Sequence, residues 1–294
     1  MVAVAAKAKS RQNAKRKRNV RDAKTAAAKP SKAAAANTET LHAFDREHGT
    51  ETGRLILGHN LWSGQKHDRH ITAYHGTAPS VFSQMMALWL GTRPPHALRE
   101  YSFLDIGAGK GRAMLLASEF AFHQIIGVEM NPELAAIARS NLEIWQKKRD
   151  ALNQQILKNG QLLSGPGRRI AVKPSQRIRL LEVDATELEY PDGPCLVYLF
   201  NPFREVVMRR LLRNLERQFA RRPGELDILY VNHECRDVLK AHAGFSELWS
   251  GSVPLTAEDA AADHATIVRD AKDLFESTDD EVCSIWRLRA LFAK

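Results

Sequence analysis

The chain has 294 residues, a hydrophobic fraction of 44% and a formal net charge of +9 at pH 7. This length and apolar content suffice for one domain of about 250 residues with a sizeable core, plus an appendage. No stretch approaches the roughly 18 consecutive apolar residues of a transmembrane helix, and no apolar segment follows the first charges as in a secretory signal. We therefore expect a cytoplasmic protein with no membrane partner.

The positive charge is concentrated at the amino terminus. Residues 1–36 contain eleven lysines and arginines and a single acid, Asp22, so this segment carries +10 and residues 37–294 carry −1. Its alanine- and lysine-rich composition, without aromatic residues, predicts a disordered basic tail. Three interpretations stay open: an anchor for nucleic acid or ribosomes, an organelle or nuclear address, and a solvated extension without function.

A strand that turns through glycines into a helix lies at the centre of the sequence. Residues 101–106 form a short apolar run, and Gly107, Gly109 and Gly111 follow at every second position. Glycine permits positive φ and close approach of a ligand, and the helix that follows directs its positive end at the resulting crevice. This stretch therefore predicts a ligand site.

The spacing of these glycines separates two kinds of ligand. A dinucleotide fold needs G-x-G-x-x-G, because a pyrophosphate must sit on the helix N-terminus. Here the pattern is G-x-G-x-G, and Asp105 stands two residues before the first glycine. A carboxylate there would repel a pyrophosphate but would suit a ligand that carries an amino group, which argues against a nicotinamide oxidoreductase.

This stretch resembles the first motif of the class I S-adenosylmethionine (SAM) dependent methyltransferases. The resemblance implies SAM as the cofactor, with Asp105 at its methionine amino group and a glycine turn that makes room for it. The residues of that turn are Gly107, Ala108, Gly109 and Gly111. A second apolar strand, 125–128, ends in Glu129, which the resemblance places at the ribose hydroxyls. Asn131 and Pro132 then predict the start of a helix.

Residues 37–100 are predicted to be a helical lead-in that folds over the cofactor. The apolar run from Val81 to Trp89 predicts a helix that ends before Gly91. The segment resembles the lead-in of an uncharacterised family of small bacterial methyltransferase-domain proteins, in which F-D-R-x-H/Y-G recurs before a Tyr that is followed by a Pro. The resemblance makes Tyr74 a candidate lid residue over the cofactor, and simple packing of Tyr74 is the alternative.

The third and fourth strands end in two further candidate site residues or motifs. Residues 177–183 end in Asp184, which the resemblance places beside the adenine together with the backbone of Ala185. Residues 195–200 read as a central parallel strand. They end in Asn201, Pro202 and Phe203, one proline short of the [N/D]-P-P-[Y/F/W] motif of methyltransferases that act on planar amino groups.

The Asn201-Pro202-Phe203 tripeptide is therefore the candidate acceptor site, with Asn201 near the transferred methyl group. The alternative is a turn that ends the strand and places Phe203 in the core. Beyond it, residues 226–231 read as a fifth strand that ends in His233 and Glu234, either of which is a candidate general base.

The remaining chain completes an α/β fold. Residues 245–253 and 283–291 read as the last two strands, which the resemblance arranges as an antiparallel hairpin at the sheet edge, with a helical or mobile excursion over 258–281 between them. We expect a doubly wound, mostly parallel seven-stranded sheet over 101–294, a Rossmann-like methyltransferase sandwich. A basic insertion is predicted over 146–176.

The sequence does not indicate a disulfide framework or a metal site. Cys195, Cys235 and Cys283 are isolated, and no C-x-x-C occurs. The loose histidine cluster His67, His70 and His75 lacks acids or cysteines at ligand spacing. The predicted methyl transfer needs neither a catalytic cysteine nor a metal, because SAM is intrinsically activated.

The sequence therefore predicts a SAM-dependent methyltransferase whose acceptor is a nitrogen on a macromolecule, protein or RNA. The basic tail and the basic insertion favour a macromolecular partner, and the tail is a candidate contact for nucleic acid. Two alternatives stay open. One is a small-molecule acceptor, since the body of the chain is not basic, and the other is a SAM-binding module without catalysis that associates with nucleic acid.

Overall fold

A computed structural model describes residues 42–158, 177–271 and 274–289 of the chain. The predicted basic tail, 1–36, lies outside the described residues, as does the greater part of the predicted basic insertion, from 159 to 176. Within the described residues, no helix is both long and apolar enough to cross a membrane.

Seven strands form a single sheet in the order β3-β2-β1-β4-β5-β7-β6. Strands β1 to β5 are parallel, whereas β7 runs antiparallel to both β5 and β6. This arrangement confirms the predicted doubly wound, mostly parallel sheet with an antiparallel hairpin at its edge. The strands are β1 Ser102–Ile106, β2 Gln124–Val128, β3 Arg177–Leu181, β4 Cys195–Phe200, β5 Leu226–Val231, β6 Phe245–Pro254 and β7 Asp280–Leu288.

The helices of the described residues lie before the first strand and between later strands. They are α1 Ala43–His48, α2 Pro79–Gly91, α3 Arg112–Ala117, α4 Pro132–Lys158, α5 Glu205–Phe219, α6 Arg236–Lys240 and α7 Ala257–Ala271. Short 3-10 turns occupy Gly58–Leu61, Asp68–His70 and Leu98–Glu100. Several predicted boundaries move: β3 ends at Leu181 rather than at 183, and the last strand covers Asp280–Leu288 rather than 283–291.

Alternate residues of the central strands face two separate apolar layers. On β4, Val197 and Leu199 pack with α5 and α6, whereas Leu196 and Tyr198 pack with α2 and α3. Since a strand sends successive side chains to opposite faces, a strand that is apolar at every position must be covered on both sides. The unbroken apolar run of β4 therefore follows from its place in the middle of the sandwich.

The chain order reverses between β1 and β4, which lie side by side in the sheet. From β1 the chain moves outward through β2 to β3, and it then returns to β4 on the other side of β1. At such a switch point the loops that leave the carboxyl ends of two neighbouring strands diverge and open a crevice. Asp105 and the glycine turn follow β1 into that crevice.

The lead-in joins the sheet through helix α2. Val81, Met85, Met86 and Trp89 are fully buried in the layer that covers Tyr198 and Phe103. The Trp89 indole N–H donates to Asp227 Oδ2 over 2.7 Å, and the guanidinium of Arg287 donates to both carboxylate oxygens over 2.7 and 2.8 Å. Asp227 thus links α2 to strands β5 and β7 by three charge-assisted bonds.

The stretch between the two hairpin strands, 255–279, contains helix α7, which braces the lead-in. Asp259 Oδ2 accepts from the backbone N–H of Ser80 over 2.8 Å, and Asp270 Oδ2 accepts from that of Leu55 over 2.9 Å. The acids of this segment therefore cap backbone groups of the lead-in.

We expect Asp227→Ala to lower the free energy of unfolding by about 3 kcal/mol or more, because it leaves the Arg287 cation and the Trp89 N–H without their acceptor in a buried site. Chemical denaturation measures this loss. The control is Glu182→Ala, which breaks the exposed 2.7 Å pair with Arg139 and should cost about 1 kcal/mol or less. Equal losses in the two variants would contradict the role given to Asp227.

Candidate functional site

A cleft opens at the carboxyl ends of β1, β2, β3 and β4, at the switch point of the sheet, and the lead-in forms its remaining wall. It is lined by every residue predicted for the cofactor or the acceptor except Gly111 and Asn201. These lining residues are Tyr74, Asp105, Gly107, Ala108, Gly109, Glu129, Asp184, Ala185, Pro202 and Phe203. Residues that the sequence places far apart therefore meet around one cavity.

Asp105 is the penultimate residue of β1, shortly before the glycine turn, and is 4% exposed. Its Oδ2 atom is buried and has no hydrogen-bond partner among the described residues. Burial, with a smaller contribution from the neighbouring Glu129 carboxylate, raises the pKa of Asp105 to about 8. An unpaired carboxyl in such a place is costly, and a cationic ligand would remove the cost.

Glu129 follows β2 and holds the glycine turn in place. Its Oε2 atom accepts from the backbone N–H of Gly109 over 2.7 Å, and Oε1 accepts from that of Asn131 over 2.8 Å. Burial raises the pKa of Glu129, although the backbone N–H groups that donate to it act in the opposite direction. The carboxylate thus ties the turn after β1 to the start of α4.

Two of the glycines are required by side chains that press against them. A Cβ on Gly109, whose φ is +54°, would stand 2.2 Å from Cε2 of Tyr74, and a Cβ on Gly107, whose φ is +76°, would stand 2.5 Å from Cβ of Pro202. Tyr74 is fixed there because its hydroxyl donates to the Thr52 carbonyl over 2.7 Å. The lead-in therefore lies directly on the glycine turn, and the ring of Tyr74 closes one side of the cleft.

Gly111 has a different position from the other two glycines. It precedes α3 as its N-cap residue with a φ of +87°, beneath the cleft and beside Ala138. The helix thus starts from a left-handed backbone conformation, which residues other than glycine adopt only with strain.

Asp184 is held by the loop after β3 and by the lead-in. Its Oδ1 atom accepts from the backbone N–H and the hydroxyl of Thr186, each over 2.8 Å. Its Oδ2 atom lies 3.1 Å from Nε2 of His67, a lead-in residue that also lines the cleft. Ala185 lines the cleft beside it, so the loop after β3 forms part of the cleft wall.

Asn201 is buried but does not line the cleft. Its side-chain Oδ1 accepts from the Tyr230 hydroxyl over 3.3 Å, and its carbonyl accepts from the Thr72 hydroxyl. Its φ of +40° is left-handed, a conformation that costs a non-glycine residue energy and that clusters at functional turns. Pro202 and Phe203 are the residues of this turn that reach the cleft.

Arg112 is a cleft residue that the sequence analysis missed. It is 2% exposed, and its guanidinium donates to the Thr52 hydroxyl over 2.7 Å and to the carbonyls of Gly76 and Thr77. Asp45 lies 3.8 Å from the guanidinium and accepts four further bonds from residues 50–53. Asp45 belongs to the F-D-R pattern of the lead-in, which was visible in the sequence. Nothing in the sequence linked this residue to Arg112.

His75 is a second missed residue. It lines the cleft, and its Nε2 lies 3.6 Å from Asp263 Oδ1 on α7. Burial lowers the pKa of His75, which favours the neutral ring. The candidate bases of the sequence analysis, His233 and Glu234, do not line the cleft, and His233 instead pairs with the Ser284 hydroxyl over 2.9 Å.

We expect Asp105→Asn to stabilise the chain in the absence of ligand. The folded pKa of about 8 lies above the usual value near 4, so the folded chain holds the proton more tightly than the unfolded chain over that interval. Wild-type stability should then fall as the pH rises from about 4 to about 8, by at most about 1.4 kcal/mol per pH unit. Denaturation at pH 5 and pH 8 should show the Asn variant gaining on wild type, whereas exposed Asp192→Asn should show no such gain.

We expect Gly109→Ala to destabilise the chain by roughly 1–3 kcal/mol, because the new methyl group meets Tyr74 and a left-handed backbone strains alanine. Tyr74→Ala removes the clash but not the backbone strain. In a double-mutant cycle the combined loss should therefore be smaller than the sum of the two single losses. Strict additivity would contradict the contact between this glycine and the lead-in.

Scans against family models and against curated proteins each found no match. Among solved structures, the chain is similar to precorrin-6y C5,15-methyltransferase from Geobacter metallireducens, with 15% identity, 69% of this chain and 87% of that chain covered, and a TM-score of 0.40.

Two further solved structures are similar to this chain, with comparable sequence identities and TM-scores. The [4+2]-cyclase SpnF has 18% identity, 70% and 81% coverage and a TM-score of 0.41. TrmN from Thermus thermophilus has 14% identity, 71% and 48% coverage and a TM-score of 0.40. Because the TM-scores lie below 0.5 and a methyltransferase and a cyclase stand side by side, these likenesses carry no argument about activity. The function must be argued from the cleft.

Proposed function

We propose that this chain is a class I SAM-dependent methyltransferase whose cleft binds SAM across the carboxyl ends of β1 to β4. The observation that carries the proposal is Asp105, a buried carboxyl in the cleft with an oxygen that has no hydrogen-bond partner among the described residues. The α-ammonium group of SAM would supply that partner and a compensating charge. The resemblance of 101–112 to the first methyltransferase motif supports the same assignment.

The hydrogen bonds of the glycine turn support a ligand that presents a cation rather than a phosphate. The N–H groups of Gly107 and Ala108 donate to the Val128 carbonyl over 2.9 and 3.0 Å, and that of Gly109 donates to Glu129. A pyrophosphate site needs such N–H groups free to face the anion. Here they are occupied inside the chain, and the two carboxyl groups beside them would repel an anion.

In the proposed site each predicted residue has one task. Glu129 would accept from the ribose hydroxyls, and Asp184 with Ala185 would lie at the adenine. Tyr74 would cover the cofactor from the lead-in, since its ring already lies on the glycine turn. When bound, SAM supplies a sulfonium-activated methyl group, so the chain mainly has to orient the acceptor and exclude water.

We further propose that the acceptor is a nitrogen on a macromolecule, protein or RNA. The +10 charge of residues 1–36 supports a large anionic partner. Pro202 and Phe203 line the cleft at the end of β4, where an acceptor would meet the methyl group, and Phe203 offers a planar ring for contact. His75, neutral and backed by Asp263, is the cleft group best suited to take the proton that a nitrogen releases.

The first test is SAM binding by isothermal titration calorimetry. We expect wild type to bind, and Asp105→Ala to bind about 10- to 100-fold more weakly, because a hydrogen bond to a charged group contributes about 1.5–3 kcal/mol. Exposed Glu182→Ala serves as a control that should leave the affinity unchanged. Failure of the wild-type chain to bind SAM would refute the proposal.

The second part of that test follows the methyl group. Labelled SAM is incubated with the chain and a hypomethylated cell extract, which is then separated into protein, nucleic-acid and small-molecule fractions. Label that enters a macromolecular fraction, and that is lost with Asp105→Ala, supports the proposed reaction. Label only in the small-molecule fraction would contradict the macromolecular acceptor, and SAM binding without transfer to any fraction would favour a regulatory module.

A further inference from the structure

We propose that RNA docks on an arginine face of α5 beside the cleft, with Trp62 as a stacking platform for a base at the cleft mouth. We define the arginine face as Arg204, Arg209, Arg210, Arg213 and Arg217. The proposal depends on the proposed function only in making RNA the methyl acceptor, because the docking itself is measured without SAM.

The arginine face results from the helical period of α5. Val207, Leu211 and Leu215 lie on the buried side of the helix, where they pack against the sheet. The arginines at 209, 210, 213 and 217 recur at the i, i+3 and i+4 spacings on the opposite side, and all are exposed. Arg210 and Arg217 are separated by about 10 Å along the helix axis, which is enough to reach more than one phosphate.

The charge of this face is only partly neutralised. Glu205 pairs with Arg209 at 2.5 Å, and Glu216 lies 3.4 Å from His242 instead of serving an arginine. Within the described ranges, no carboxylate stands within 4.0 Å of Arg204, Arg210 or Arg213. Arg210 and Arg213 on the exposed side of α5, and Arg204 directly before the helix, therefore stay available, although residues 37–294 as a whole carry −1.

The arginine face begins at the cleft. Arg204 follows Pro202 and Phe203, which line the cleft, and Val207 on the first turn of α5 lines it as well. The backbone N–H of Arg204 donates to the His70 carbonyl over 2.7 Å, which fixes the start of the helix against the lead-in. A polyanion on this face would therefore run toward the position of the methyl acceptor.

Trp62 stands on the lead-in side of the same cleft. Its neighbours Leu61 and Ser63 line the cavity, whereas the Trp62 side chain is 57% exposed. A large indole left in water beside a cleft gains little for folding, but its flat face can stack on a nucleobase. Proteins that bind single-stranded nucleic acid combine a basic stripe with exposed aromatic rings. Binding to an acidic protein surface would need only the positive charge.

The test measures fluorescence anisotropy of a labelled single-stranded RNA of mixed sequence with the full chain at several salt concentrations. The variant replaces Arg204, Arg210 and Arg213 with Gln. A matched control replaces Arg99, Arg221 and Arg289, which are exposed and lie at the amino-end edge of the parallel strands, away from the cleft. The total charge changes equally, and the basic tail is present in every protein.

We expect the cleft-side variant to bind RNA at least tenfold more weakly at 150 mM salt, with a log–log salt slope smaller by about 2, because three phosphate contacts are lost. The matched control should lose less than about threefold. Trp62→Ala should weaken binding about fivefold or more, and Trp62→Phe should restore most of it.

Equal losses in the two triple variants would overturn the docking site, as would full RNA binding by both the cleft-side variant and Trp62→Ala. Binding of a polyglutamate peptide that depends on the arginines as strongly as RNA binding does would favour an acidic protein instead. SAM titrations of the same variants separate the two proposals. SAM binding with arginine-independent RNA binding refutes only the docking site, whereas absence of SAM binding refutes the methyltransferase assignment whatever the RNA result.

Discussion

The cleft depends on one buried carboxylate that joins two loops. Glu129, at the end of β2, accepts one hydrogen bond from the glycine turn after β1 and one from the first residue before α4. Because both donors are backbone N–H groups, the bonds fix the course of the chain and not only a side chain. Without them the N–H group of Gly109 would lose its acceptor, and the glycine turn would lose its link to the start of α4.

The lead-in is part of the site because charged residues fasten it to the sandwich from inside. Arg112, one residue after the last glycine, donates hydrogen bonds to the carbonyls of residues 76 and 77 and to the Thr52 hydroxyl. Asp45 accepts hydrogen bonds from residues 50–53. Helix α7, inserted in the edge hairpin, supports the same segment from the other side through Asp259 and Asp270. Three distant parts of the chain thus hold the lead-in, with Tyr74 against the glycine turn, which makes this wall of the cleft preorganised rather than adaptable.

Charge is distributed around the cleft in two opposite ways. Inside, Asp105 and Glu129 are buried carboxyl groups that a bound cation would stabilise in their ionised form, since burial raises the pKa of both. Outside, the arginine face beside the cleft presents cations to solvent. Under the proposed function, this separation would let one site take both a positively charged cofactor and a polyanionic acceptor, since solvent screens the outer arginines from the buried acids.

The sequence by itself determined where most strands lie, which of them are buried on both faces, and most of the residues that line the cleft. Local patterns suffice there, because a doubly wound sheet needs apolar runs at β1, β2 and β4, and because the carboxyl ends of parallel strands meet at one edge. The sequence did not reveal the pairing of Asp45 with Arg112, the approach of His75 to Asp263, or the diversion of the Asn201 side chain toward Tyr230. Each of these joins residues that are about 30 to 190 positions apart. Such contacts depend on how the lead-in and α7 pack on the finished sandwich, and only the tertiary structure decides them.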